Sequence, residues 1–227
     1  MGTTRLQLYN DALQLCGEPK LASLTENRRQ RYELDQVWDG SSGIGGWIDA
    51  VLEMGQWQFA ERSIEISADP DVDTSFGYAN AFGKPTDWIS TLGVCSDERF
   101  NTPLVQYRDS TDYWFADIDP IYVRYVSNDS AYGGDLARWP QSFCAFAAAY
   151  GASKIVLALS SDKNKAGMIL QPKTGILAQA LSLAKSRAAM TQPTRMPPES
   201  GWNAARSGRA GRRGPMGDGG TTNTLTG

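Results

Sequence analysis

Apolar positions Leu6, Tyr9, Leu13 and Cys16 recur at helical spacing, with Thr3 or Thr4 placed to cap the first turn and Gly17 to stop the last. The pattern predicts a first helix over residues 4–16. Glu18-Pro19 then turns the chain, and Leu21 and Leu24 are expected to pin the turn to the core. A second helical region begins near Asn27. It should break across Asp39-Gly40-Ser41-Ser42-Gly43-Ile44-Gly45-Gly46, because each Gly destabilises a helix by about 1 kcal/mol relative to Ala. Helical spacing resumes at Trp47, Val51 and Met54, predicting a helix over residues 47–56 that ends around Trp57.

From residue 61 to 128 the period changes. Ile64 and Ile66 alternate with polar neighbours, Val105 and Tyr107 do the same, and residues 113–115 and 121–126 are rich in strand formers. Asp69-Pro70-Asp71, Asp109-Ser110-Thr111 and Asp117-Ile118-Asp119-Pro120 supply turns between them. One small antiparallel sheet inserted between helices is the economical reading. Trp139-Pro140 then announces a helix that is apolar on nearly every face over residues 143–160 and must be buried on several sides. Its Ala and Gly residues (Ala145, Ala147, Ala148, Ala149, Gly151, Ala152) allow close approach by a neighbouring backbone, of this subunit or the next. A last helix or helix pair spans residues 162–190, kinked at Gln171-Pro172, with Leu177, Leu181, Ala184 and Ala188 as its buried stripe.

After Met190 the composition shifts to eight Gly and four Pro in residues 191–227, which cannot build a core. Five Arg (Arg195, Arg206, Arg209, Arg212, Arg213) stand there against Glu199 and Asp218, a basic arm of +3 on a body of −6. The expected class is therefore α+β: an antiparallel helical bundle (residues 1–60 and 138–190) with an inserted small antiparallel β domain (61–137) and an extended C-terminal arm (191–227).

Charge and side-chain inventory narrow the function. A net charge of −3 argues against a surface devoted to clamping nucleic acid. The longest apolar run, residues 143–152, is shorter than the roughly 20 residues of a membrane span, and the N-terminus lacks the apolar core of a signal peptide, so a cytoplasmic origin without membrane is expected. Cys16, Cys95 and Cys144 are far apart among apolar neighbours and read as buried thiols, not as a disulfide or metal set. Histidine is absent, which removes the commonest general base and zinc ligand. No catalytic, cofactor or metal residue is expected.

The residues carry a resemblance. Asn10, Ala12, Leu13, Leu15, Gly17 and Glu18, then Trp57-Gln58-Phe59-Ala60, Phe76-Gly77-Tyr78, Ala81-Phe82 and Pro85-Thr86-Asp87-Trp88 stand in order. They are followed by Tyr122-Val123-Arg124-Tyr125-Val126 with Ser127-Asn128-Asp129, Trp139-Pro140-Gln141-Ser142-Phe143, Ala184-Lys185-Ser186-Arg187 and the run from Pro198 to Arg206. In order and spacing over most of the chain these resemble the tail tubular protein A family, the head-to-tail adaptors or connectors of short-tailed phages. Two positions depart from the pattern: Lys84 stands where the family usually has an apolar residue, and the Gly-rich segment 40–46 looks like an insertion. The resemblance implies a helical bundle with a β domain, assembled as a dodecameric ring between the portal protein and a tail nozzle like tail tubular protein B, in the virion, with DNA only as passing cargo.

Several residues invite a functional reading. Trp57 and Phe59 read as core aromatics closing a helix-to-strand junction. Glu18 reads as a turn residue and not as a catalytic carboxylate, since no second carboxylate is placed opposite it. In the arm, Trp202 with Arg206, Arg209, Arg212 and Arg213 has the composition of an interface anchor, and docking into the portal is expected. The competing classes are an adaptor that also hydrolyses peptidoglycan and a virion protein that binds DNA through the Arg-rich arm. The absence of histidine and of a carboxylate pair disfavours the hydrolase. The arm's lack of Lys and its single Trp favour a protein partner over DNA, and the acidic body suits a channel wall past which DNA slides. The passive, non-enzymatic adaptor is expected.

Overall fold

The computed structural model describes residues 2–40, 46–74, 77–159 and 163–191. Among the described residues, six α-helices and six strands follow one another as three helices, the strands, then three helices, so the class is α+β with the strands inserted between helical segments.

The first helix, α1 (Arg5–Cys16), begins where the sequence places it. Thr4 Oγ1 accepts the Gln7 N–H while the Gln7 side chain accepts the Thr4 N–H, a complete capping box. Gly17 closes the helix at φ 72°, and the Gly17 and Glu18 N–H groups return to Gln14 and Leu13 carbonyls at 3.1 and 2.9 Å. Asn10 then ties down the following turn, its side chain donating to the Leu21 carbonyl and accepting the Leu21 N–H. Leu21 is buried by this clasp, whereas Leu24 is exposed and pins nothing.

The next helices are α2 (Arg29–Asp39) and α3 (Trp47–Glu53). The latter is shorter than its spacing predicts. The chain turns at Met54 and Gly55 so that Trp57 folds back and donates its indole N–H to the Val51 and Leu52 carbonyls at 3.2 and 3.1 Å. Helix α4 (Gln141–Leu159) follows Pro140, whose carbonyl accepts the Phe143 and Cys144 N–H groups. It is long and apolar enough to cross a membrane, but 61% of it is buried within the protein, against α1, α2, α3, α5 and α6. Gly151 shows why its small residues matter. A Cβ there would collide with the Trp47 ring, so the Nε1 edge of the indole packs directly against α4 and donates to the Ala147 carbonyl at 3.0 Å. The close approach at Gly151 is made within the chain.

Gln171-Pro172 separates two helices, α5 (Lys163–Leu170) and α6 (Ile176–Thr191). The expected stripe of α6 is only partly covered: Ala184 is buried, while Leu177, Leu181 and Ala188 are half-buried. Leu183 and Met190 are exposed.

The strands form two three-stranded antiparallel sheets where one was expected. The first has the order β1 (Glu61–Ile66), β6 (Ile121–Ser127), β3 (Trp88–Cys95); the second has β2 (Asn80–Gly83), β5 (Tyr113–Ala116), β4 (Arg108–Asp109). Strand β3 shifts register twice against β6, between Trp88 and Ser90 and between Thr91 and Gly93. The residues left over, Ile89 and Leu92, pack against the helical core, so the bulges turn these two side chains toward the bundle while Trp88 and Val94 join the other cluster. Val105 and Tyr107, read as part of a strand, lie instead in a loop.

Two apolar clusters result. The larger joins α1, α3, α4 and the 3₁₀ turn Gln58–Ala60 around Trp47, Trp57, Phe143 and Phe146. The smaller lies between the sheets around Phe82, Trp114, Ile121, Val123 and Tyr125. Cys16, Cys95 and Cys144 are all buried free thiols, and burial pushes the Cys16 thiol up to about 11.

Candidate partner-binding face

Ser127 is a buried polar residue in a mostly apolar interior, and it belongs to a network centred on Asp87. Ser127 Oγ, Arg62 Nη1 at 2.9 Å and Tyr125 OH at 3.1 Å all donate to the Asp87 carboxylate, while the Asp87 carbonyl accepts the Asn128 N–H. Burial would raise this carboxyl, but the three donated hydrogen bonds and the Arg62 charge outweigh it and hold it below the ordinary carboxylate value. Asn128 in turn donates to Asp49 of α3 at 2.9 Å. The network ties β1, β3 and β6 to one another and to the bundle. It is saturated and offers no free acid or base.

The Lys84 side chain is almost fully buried. Its ammonium lies 3.5 Å from the centre of the Trp88 ring and donates to Asp109 and to the Ser110 carbonyl. Thr91 completes this corner by accepting both the Trp88 and Trp114 indole N–H groups and donating to Asp109 at 2.7 Å. Glu18 accepts a hydrogen bond from Gln30 and its own N–H caps α1, consistent with a turn residue. No cluster of three metal-ligating side chains occurs among the described residues.

The feature that reads as a binding surface is an apolar groove of about 700 Å³ where three segments distant in sequence converge. The 3₁₀ turn contributes Trp57 and Phe59, the start of α4 contributes Phe143 and Ala145, and the last turns of α6 contribute Leu183 and Met190. Trp57 is fully buried, its ring 4.7 Å from that of Phe143, so it is a core residue as expected and forms the groove floor. Phe59 is half-buried and forms a wall. Arg187 lies on the rim, and Lys185 stands beside an adjoining hollow with Gly55 and Gln56.

Sequence reasoning missed this groove because its lining comes from positions 57–59, 140–145 and 183–191. The only signal was the excess of apolar residues on α6, more than one buried stripe needs. Trp202, Arg206, Arg209, Arg212 and Arg213, chosen as partner contacts, lie outside the described residues, as does Phe76. Neither a family model nor a curated protein matches the chain.

Proposed function

We propose that the chain is a structural, non-enzymatic head-to-tail adaptor of a short-tailed phage, joining copies of itself into a ring between the portal and the tail nozzle. The observation that carries this reading is the ordered series of motifs from Asn10 to Arg187. Their shared residues take structural parts in the fold: Asn10 clasps the first turn, Trp57 closes the bundle, Asp87 ties the strands together and Pro140 starts the central helix. Such a set fits a protein whose work is to hold a shape. A ring subunit also needs surfaces that meet partners, and the apolar groove with exposed Leu183 and Met190 supplies one.

In this reading the basic arm docks into the portal, with Trp202 in an apolar pocket and the Arg residues against carboxylates or carbonyls. Mass measurement of the purified chain, alone and mixed with its cognate portal, tests the proposal. The chain alone should be monomeric and should form a ring only on the portal. Because α6 runs one residue into the expected arm of 191–227, to Thr191, deleting residues 192–227 should leave the melting temperature nearly unchanged and weaken assembly on the portal severely. A truncated chain that assembles like the parent would remove the arm from the mechanism.

A further inference from the structure

Val105 is 88% exposed, more than any other large apolar residue described, and it does not sit on a loose loop. Pro103 bridges to Cys95, and the Leu104 N–H donates to the Val94 carbonyl at 2.8 Å. Ser96 donates to the Thr102 carbonyl, and the Asp97 carboxylate accepts the Asn101 and Thr102 N–H groups. Leu104 and Tyr107 are half-buried against the small β cluster on either side. The loop over residues 103–107 is thus fixed at its base and holds one apolar side chain out into water, which is the arrangement of a preorganised contact.

Charge divides the molecule in the same sense. Residues 61–137 hold five Lys and Arg against 14 Asp and Glu, a net charge of −9. Residues 138–191 hold seven Lys and Arg against Asp162 alone, a net charge of +6. The exposed Val105 therefore projects from the acidic part of the chain, where residues 97–112 hold Asp97, Glu98, Asp109 and Asp112 against Arg99 and Arg108, a net charge of −2. The apolar groove takes most of its lining from the basic part and the rest from residues 57–59, with Arg187 on its rim and Lys185 beside it.

We propose that the groove between the start of α4 and the end of α6 receives the 103–107 loop of a second copy of this chain, with Val105 as the central contact. Knob and hole lie on different surfaces of one chain, so the contact is heterologous and propagates head to tail, closing a ring if the rotation per copy allows. An apolar centre supplies affinity, and the opposed charges steer the uncharged loop, by its net-acidic flanks, to the basic rim and oppose pairing of like ends. The arm, basic like the rim, is the poorer occupant. The inference rests on the ring reading above for what the contact builds, and names the surfaces that build it.

The test uses the full chain in two variants, Val105→Cys and Leu183→Cys, mixed with a short bis-maleimide, with and without the cognate portal. The native cysteines are buried and out of the reagent's reach, and both substitutions are at exposed positions. Adducts joining 105 of one copy to 183 of another should exceed either homotypic adduct at least several-fold, on the portal if not in free solution. Arg187→Glu should lower their yield several-fold. Val105→Arg, introduced without any added cysteine, should reduce ring formation while leaving the melting temperature unchanged. A ring that assembles without the 105–183 adduct, one dominated by 183–183 adducts, or one cross-linked from 183 to portal or nozzle would overturn this inference and leave the ring reading standing. Failure of any ring to form would overturn both.

Discussion

The two hydrophobic clusters reach burial by different means. In the bundle, three indoles settle against backbone: Trp47 donates to the Ala147 carbonyl, Trp57 to those of Val51 and Leu52, and Trp139 to that of Gly133. Their hydrogen bonds are as fixed as the helices and turns that supply them. In the β domain, Trp88 and Trp114 share one side-chain acceptor, Thr91, itself held by Asp109 and through it by Lys84. The larger cluster is thus held by shape, and the smaller by a polar scaffold that compensates for a thin apolar interior. A small sheet pair with few residues to bury gains from saturating its polar groups, because an unpaired one inside it would cost more than the pair contributes.

The comparison can be broken most forcefully at Trp57. Trp57→Ala should destabilise the chain by about 3–5 kcal/mol, the usual range for truncating a buried aromatic, read as a fall in the denaturation midpoint. A variant that melts like its parent and fails only in partner binding would show that the bundle is not closed by this side chain.

Asp87→Asn tests the polar half. Loss of the charge weakens three donated hydrogen bonds, and about 2 kcal/mol of stability should go with it at neutral pH. The carboxyl is held below its ordinary value of 3.8 in the folded protein, so its contribution is complete above that value and fades as pH falls through the lower folded value. Parent and variant should therefore differ at pH 7 and converge in strong acid. Parallel stability curves across that range would show that Asp87 is not the group responsible.

The smallest effect is expected at Lys84. Lys84→Met keeps an apolar cover over Trp88 but leaves Asp109 without its cation. Asp109 is 37% exposed and keeps its hydrogen bond from Thr91, so water and Thr91 offset part of the loss, which stays well below the cost of breaking a fully buried pair. A change within about 1 kcal/mol is expected by chemical denaturation. A much larger loss would show that the ion pair with Asp109, and not the cover over the indole, holds this corner.

The local signals that survived in the structure are those set by backbone chemistry. Thr4 with Gln7, Gly17 and Pro140 mark helix ends because caps and missing donors act over three or four residues. Strands β2 and β3 were illegible for the opposite reason. The first is Asn80-Ala81-Phe82-Gly83, too short to show a period. The second, Trp88-Ile89-Ser90-Thr91-Leu92-Gly93-Val94-Cys95, has its alternation broken by two register shifts. The alternation at Val105 and Tyr107 was real but belonged to a loop whose bonds run to Val94 and Asp97. Of the surfaces available to partners, the groove left only the excess of apolar residues on α6 as a trace in the sequence, since its walls meet only in the folded chain.

The pairing of Trp47 with Gly151 also constrains how this chain can vary by descent. A methyl group added at position 151 collides with the indole ring, while loss of the indole alone leaves a hollow over α4 and an open acceptor at Ala147. Neither change is easily accepted first, so lineages should keep both residues or exchange both, and positions 47 and 151 should vary together across relatives.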